Sequence, residues 1–119
     1  MPIKPKQGMT ESRIKVWLIR HLRETGETKG AKVLSELCVA GFSRRADVVL
    51  ANGSLTAFEI KGEFDTLDRL PGQVEIFSKY FEGLTVVCAP RHTPKVIETV
   101  PKDVGVWEVK DDKMIVKRS

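Results

Sequence analysis

Charged side chains inside two apolar, strand-like segments constrain this chain more than any other feature of its sequence. The segments are residues 45–51 and 55–61, and they flank Asn52-Gly53, a pair typical of a β-hairpin turn. Besides Arg45, which begins the first segment, they contain three charged residues: Asp47, Glu59 and Lys61. Because the burial of an unpartnered charge is costly, charges in such strands require partners or a function.

The hydrophobic pattern selects one register for this hairpin. With a three-residue loop, residues 52–54, Asp47 lies opposite Glu59, and the other face is entirely apolar. That apolar face comprises Val48, Phe58 and Ile60. A two-residue loop would place the two acids on opposite faces, because a slip of one residue reverses every side chain. We therefore expect two carboxylates with Cβ atoms about 5 Å apart, and Lys61 roughly 7 Å farther along the same face.

Two carboxylates at this distance repel each other unless a cation lies between them. Mg²⁺ and Mn²⁺ are hard cations that prefer oxygen ligands, so either would supply that charge. Lys61 would then lie beside the metal, where an ammonium group can orient water and stabilise phosphate charge. A cross-strand ion pair on a solvated face is the alternative that the spacing leaves open.

Hydrophobic periodicity predicts the remaining elements. Apolar residues at helical spacing predict a helix that begins at Glu11, is capped by Thr10 and ends near Thr25-Gly26. The further elements are a strand at 31–40, a helix at 67–81, a buried strand at 84–89, a short helix or turn at 94–100, and a hairpin at 105–109 and 113–117. A strand that follows a helical crossover is parallel to its partner. The prediction is thus an α/β fold with an αβββαβ core, a mixed central sheet flanked by helices, and a C-terminal β-hairpin.

Length and composition fit one domain with its own core. The 119 residues are 41% hydrophobic and 30% charged, with a net charge of +4, so the chain needs no disulfides to fold. Residues 1–10 predict a flexible basic arm and residues 11–119 a single domain. Cys38 and Cys88 lie in apolar runs without metal-binding spacing and are predicted to be buried, reduced thiols. No apolar run suits a membrane span or signal peptide, so we expect a cytoplasmic protein with no membrane partner.

The charged residues resemble the active-site signature of the PD-(D/E)XK nuclease superfamily, whose members have the restriction-endonuclease-like fold. The signature is Asp47 followed, after eleven residues, by Glu59-Ile60-Lys61. Glu11 lies in the first predicted helix and Gln73 in the second, where members of the superfamily carry additional site residues. Ala46 replaces the proline that gives the motif its name. The resemblance covers most of the chain and is to small stand-alone bacterial and phage members.

This resemblance implies a divalent-metal-dependent phosphodiesterase, an endonuclease of DNA repair or recombination that cuts DNA structure-selectively or without sequence specificity. The implied ligands of Mg²⁺ or Mn²⁺ are Asp47, Glu59, Glu11 and the Ile60 carbonyl. Lys61 would position the attacking water, and Gln73 would hold Lys61 or a phosphate oxygen. A bacterial or phage origin is expected.

Three arginines are candidates for contact with nucleic acid: Arg44, Arg45 and Arg69. DNA is the expected partner, although the composition does not separate DNA from RNA. One site per chain would cut one strand, so a homodimer is a further hypothesis. The alternative function is a non-catalytic module of the same fold that binds nucleic acid or a protein.

Overall fold

Three helices, a 3₁₀ turn and six strands make up the part of the chain that the structure, a computed structural model, describes: residues 8–41 and 44–118. In chain order they are α1 (Glu11–Glu24), β1 (Lys32–Val39), β2 (Arg44–Ala51), β3 (Leu55–Lys61), α2 (Leu70–Tyr80), β4 (Gly83–Cys88), the 3₁₀ turn (Pro90–His92), α3 (Thr93–Thr99), β5 (Gly105–Lys110) and β6 (Lys113–Arg118). Of the predicted arm at residues 1–10, residues 1–7 lie outside the described residues.

The six strands form one mixed sheet in the order β1-β2-β3-β4-β5-β6. Strands β1, β2 and β3 are antiparallel, β4 and β5 continue parallel to β3, and β6 returns antiparallel to β5. The α2 crossover between β3 and β4 explains the parallel pairing. The predicted α/β class with a mixed sheet is therefore confirmed.

The sheet carries an apolar core on each face. Helix α1 covers one face with three fully buried residues at helical spacing, Ile14, Leu18 and Leu22. They pack on Val48, Phe58 and Ile60, the residues predicted to share an apolar face. Helices α2 and α3 cover the opposite face, for example through Phe77 and Val96. In the described ranges, no helix is long and apolar enough to cross a membrane.

The β2–β3 hairpin has the register that hydrophobic patterning predicts. Val48 pairs with Phe58 and Val49 with Ala57. The loop comprises residues 52–54, in which the Asn52 amide donates a 3.1 Å hydrogen bond to the Ser54 carbonyl. This register directs the charged residues of the hairpin toward one end of the sheet.

Helix α2 begins later than predicted, at Leu70 rather than at residue 67. The preceding residues form turns instead: the Leu70 amide donates a 3.1 Å hydrogen bond to the Leu67 carbonyl. Pro71 lies in the first turn of the helix, where its missing N–H costs nothing. Asp65 does not cap the helix, because its carboxylate accepts a 2.6 Å hydrogen bond from the Gly62 amide.

Candidate functional site

A polar cleft of about 490 Å³ opens where β2 and β3 separate. Backbone pairing between the two strands ends at Val48 and Phe58, and the Ile60 amide then donates a 2.8 Å hydrogen bond to Asp47 Oδ2. The Asp47 carboxylate is thereby fixed between the strands. All the residues singled out from the sequence line this cleft: Glu11, Arg44, Arg45, Asp47, Glu59, Ile60, Lys61, Arg69 and Gln73.

Glu59 forms the floor of the cleft and is only 4% exposed. Its Oε2 atom accepts a 2.8 Å hydrogen bond from Gln73 Nε2 and lies 3.5 Å from Lys61 Nζ. Within the described part of the chain, Glu59 Oε1 and Gln73 Oε1 are both buried without a hydrogen-bond partner. Gln73 was predicted to bind Lys61 or a phosphate oxygen, whereas its side-chain amide is hydrogen-bonded to Glu59.

Burial and a second carboxylate make Glu59 a weak acid. Desolvation is the larger cause and the negative charge of Asp47 the next, and together they raise the pKa of Glu59 from 4.5 to about 9, although Lys61 acts in the opposite direction. The pKa of Glu11 is also raised, first by its partial burial and then by Asp47 and Asp65. The floor of the cleft therefore resists holding several negative charges without a cation.

The rim of the cleft carries the arginines in different environments. Arg45 Nε forms a 2.6 Å ion pair with Glu36 Oε2. Glu36 has left-handed backbone geometry, with a φ angle of 60°. Arg44 reaches the first turn of α2, where a Cβ on Gly72 would lie 3.4 Å from its guanidinium. Arg69 is exposed at the start of α2, one turn before Gln73. The cleft thus combines an acidic floor with a basic rim.

A glycine brings α1 to the cleft. A Cβ on Gly62 would lie 2.5 Å from the Glu11 amide nitrogen and 3.0 Å from the Thr10 carbonyl carbon. Because only a glycine permits this approach, the start of α1 packs directly on the residue that follows Lys61. Glu11 enters the cleft for this reason.

Three further residues of the cleft were not predicted as site residues: Cys38, Asp65 and Thr66. Cys38 was expected to be buried but is exposed, and it lies on β1, an edge strand of the sheet. Asp65 and Thr66 follow Lys61 closely in the sequence, and that proximity was the available signal. Cys88 is buried, as expected.

The carboxylates of the cleft suit a cation that keeps most of its coordinated water molecules. In residues 8–41 and 44–118, no three His, Cys, Asp or Glu side chains form a ready-made metal site. Mg²⁺, however, is commonly bound by one or two carboxylates, with water or phosphate completing its octahedron. Asp47 and the unpartnered Oε1 of Glu59 provide those two carboxylates. The residues present therefore fit such an ion.

The fold and the cleft define an α/β domain with a polar site at the end of two diverging strands. The profile of the family described as Bacteriophage P4 protein cII matches residues 4–119. Protein cII of Enterobacteria phage P4 is 46% identical over 109 residues, which are 92% of this chain and 41% of that protein. The chain belongs to the bacteriophage P4 protein cII family and spans about two fifths of the length of this relative.

A second relative is far more distant. Protein TIC 214 of Draba nemorosa is 28% identical over 118 residues, which are 96% of this chain and 7% of that protein. So small a share of a long protein adds nothing to the assignment of the family.

The family overturns the predicted nuclease. Membership of the PD-(D/E)XK superfamily is wrong, and so are the nuclease function, the enzyme class and the repair or recombination role inferred from it. The expected phage connection agrees with the family. The signature misled because two acids and a lysine at this spacing form a short pattern that also arises by chance. The nuclease version of the α/β fold is likewise unsupported, whereas the α/β class itself stands.

Proposed function

We propose that this domain binds a divalent cation, Mg²⁺ or Mn²⁺, at Asp47 and Glu59, and uses it to hold the phosphate backbone of DNA in the cleft. The observation that carries the proposal is Glu59 Oε1, a buried carboxylate oxygen without a partner among the described residues, beside a second carboxylate. A buried polar atom of this kind is costly unless a ligand satisfies it.

A cation explains how the floor and the rim act together. Without one, the negative charges of the acidic floor, such as that of Asp47, would repel a polyanion that approached the cleft. A divalent ion held by Asp47 and Glu59 would offset most of this negative charge and would supply positive charge for phosphate oxygens. Arg44 and Arg69 can then contact flanking phosphates, which provide affinity without sequence specificity.

Lys61 has a supporting role in this arrangement. Its ammonium group is buried beside Glu59 and cannot reach far into solvent. It limits the repulsion between the two carboxylates and adds a positive charge next to the cation. Lys61 is thus a binding residue in the proposal.

The first experiment measures cation binding. Isothermal titration of the full chain with MnCl₂ is expected to show one site, which disappears in Asp47→Asn and in Glu59→Gln. Both replacements keep the side-chain shape and remove the charge. Glu98→Gln, an exposed glutamate on α3, is the matched control and is expected to bind Mn²⁺ as the unmodified chain does.

The second experiment measures DNA binding by fluorescence anisotropy with Mn²⁺ or with EDTA. Affinity is expected to fall at least tenfold in EDTA, and Arg69→Ala is expected to weaken binding and reduce the salt dependence, because one phosphate contact is lost. Lys102→Ala, an exposed cation away from the cleft, is the control. A denaturing gel confirms that the DNA keeps its length during the measurement. Equal affinity with Mn²⁺ and EDTA would contradict the proposal.

A further inference from the structure

Phe64 is the most exposed of the large hydrophobic side chains that the structure describes, with 74% of its surface accessible. A single exposed apolar residue is common on protein surfaces and has no meaning by itself. The position of Phe64 is what distinguishes it from the others.

Phe64 lies between two depressions. Its neighbour Asp65 lines the candidate cleft, and its other neighbour Glu63 lines a second pocket of about 660 Å³. That pocket contains charges of both signs, Arg13 and Lys110 beside Glu63, Asp111 and Asp112, together with apolar wall residues. Phe64 therefore lies on the chain segment that separates two concave surfaces, each lined by charges of both signs.

This segment is held rigidly by hydrogen bonds of its backbone and side chains. Glu63 exchanges two hydrogen bonds with Met9, one of 2.8 Å between backbones and one of 2.9 Å to its carboxylate. Arg91 donates a 2.7 Å hydrogen bond to the Glu63 carbonyl, and the Gly62 amide donates to Asp65. An aromatic ring on a fixed loop loses little conformational entropy when it binds a flat ligand.

We propose that the DNA held at this site is single-stranded and that one of its unpaired bases stacks on Phe64 while the neighbouring phosphates lie in the cleft. This inference rests on the function proposed above and adds the class of nucleic acid. In a duplex both faces of a base are covered by its neighbours, so an isolated exposed ring can stack only on a base that is unstacked. Aromatic stacking tolerates any base, and in this proposal the arginines at the rim of the cleft follow the backbone.

The experiment compares three ligands of equal length in the presence of Mn²⁺: single-stranded oligodeoxythymidine, the same sugar-phosphate chain without bases, and a duplex. The unmodified chain is expected to bind the oligodeoxythymidine roughly 5- to 150-fold more tightly than the abasic strand, which is the range of one stacked base. Phe64→Ala is expected to abolish this preference and leave affinity for the abasic strand unchanged. Tyr80→Ala removes another exposed aromatic ring, at the end of α2, and is expected to change neither.

Phe64→Trp provides a direct signal of stacking. The tryptophan fluorescence of this variant is expected to be quenched by oligodeoxythymidine and not by the abasic strand, beyond any change seen for Trp17 and Trp107 in the unmodified chain. Equal binding of base-bearing and abasic strands, or tighter binding of the duplex, would overturn the inference and leave the proposed function standing. Failure of all three ligands to bind would overturn both.

Discussion

The side-chain amide of Gln73 donates a 2.8 Å hydrogen bond to the carboxylate of Glu59 and so joins α2 to β3 at the floor of the cleft. Both residues are buried, and Gln73 is the helical residue that reaches the charged end of the hairpin. The bond occupies Oε2 of Glu59, while Oε1 has no partner in the described ranges. Gln73 therefore orients the carboxylate that we propose as a cation ligand.

Replacement of Gln73 by leucine is expected to lower the free energy of unfolding by about 1–3 kcal/mol, because a buried carboxylate loses a hydrogen-bond donor. Urea denaturation followed by circular dichroism measures this change. Glu75→Ala, an exposed position on the same helix, is expected to have an effect within about 0.5 kcal/mol. If the two variants were equally stable, the hydrogen bond to Glu59 would contribute nothing to folding.

Glu59 makes the stability of the chain depend on pH. The pKa of Glu59 is raised from 4.5 to about 9 in the folded chain, so the folded state holds a proton there that the unfolded state releases. The contribution of Glu59 to the free energy of unfolding is therefore largest below pH 4.5, and it falls as the pH rises toward 9. In EDTA, we therefore expect Glu59→Gln to raise the melting temperature by several degrees at pH 8 and by much less at pH 5.

Added Mn²⁺ distinguishes the cost of ionising Glu59 from other effects that the Glu59→Gln substitution has on stability. The cation is expected to raise the melting temperature of the unmodified chain at pH 8 and to leave Glu59→Gln unchanged. Glu98→Gln, on the exposed surface, is expected to follow the unmodified chain at both pH values. A constant difference between Glu59→Gln and the unmodified chain from pH 5 to pH 8 would contradict the ionisation of a buried carboxyl.

Most of the fold could be predicted from the sequence because apolar patterning is a local signal. The i, i+4 spacing of α1 and the alternation in β2 and β3 each specify one buried face. The start of α2 could not be predicted, since Leu67 fits the apolar stripe, and only the hydrogen bond from the Leu70 amide to the Leu67 carbonyl shows that the chain turns there first. The exposure of Cys38 depends on β1 being at the sheet edge, which strand patterning does not reveal.

The membership of the site could be predicted more readily than its function. The register of the hairpin placed Asp47 beside Glu59, and helical spacing placed Arg69 near Gln73. The partner of Gln73 depended on the packing of α2 on the sheet, for which the sequence offers no rule. The chemical role did not follow from the residues, because acids and a lysine at these spacings are compatible with cation binding as well as with catalysis.

The two cysteines are expected to differ sharply in reactivity. Cys38 is exposed at the cleft, whereas burial raises the pKa of the Cys88 thiol to about 11. At pH 8, a chromogenic disulfide reagent is expected to modify one thiol within seconds and the second only after denaturation. Cys38→Ser is expected to remove the fast phase, and a fast phase that survived in this variant would show that Cys88 is accessible.

Gly62 is expected to be the glycine of the site that least tolerates a side chain. In Gly62→Ala, the new Cβ would meet the backbone of Glu11 and Thr10, which cannot move aside without shifting α1. We expect a loss of about 1–3 kcal/mol in unfolding free energy, as for other overpacked positions, and weaker binding of Mn²⁺ because the start of α1 borders the cleft. Gly72→Ala is the matched control: its Cβ would meet only the Arg44 guanidinium, at 3.4 Å, and alanine favours the helix by up to about 1 kcal/mol. Equal stability of the two variants would show that α1 can withdraw from Gly62 without cost.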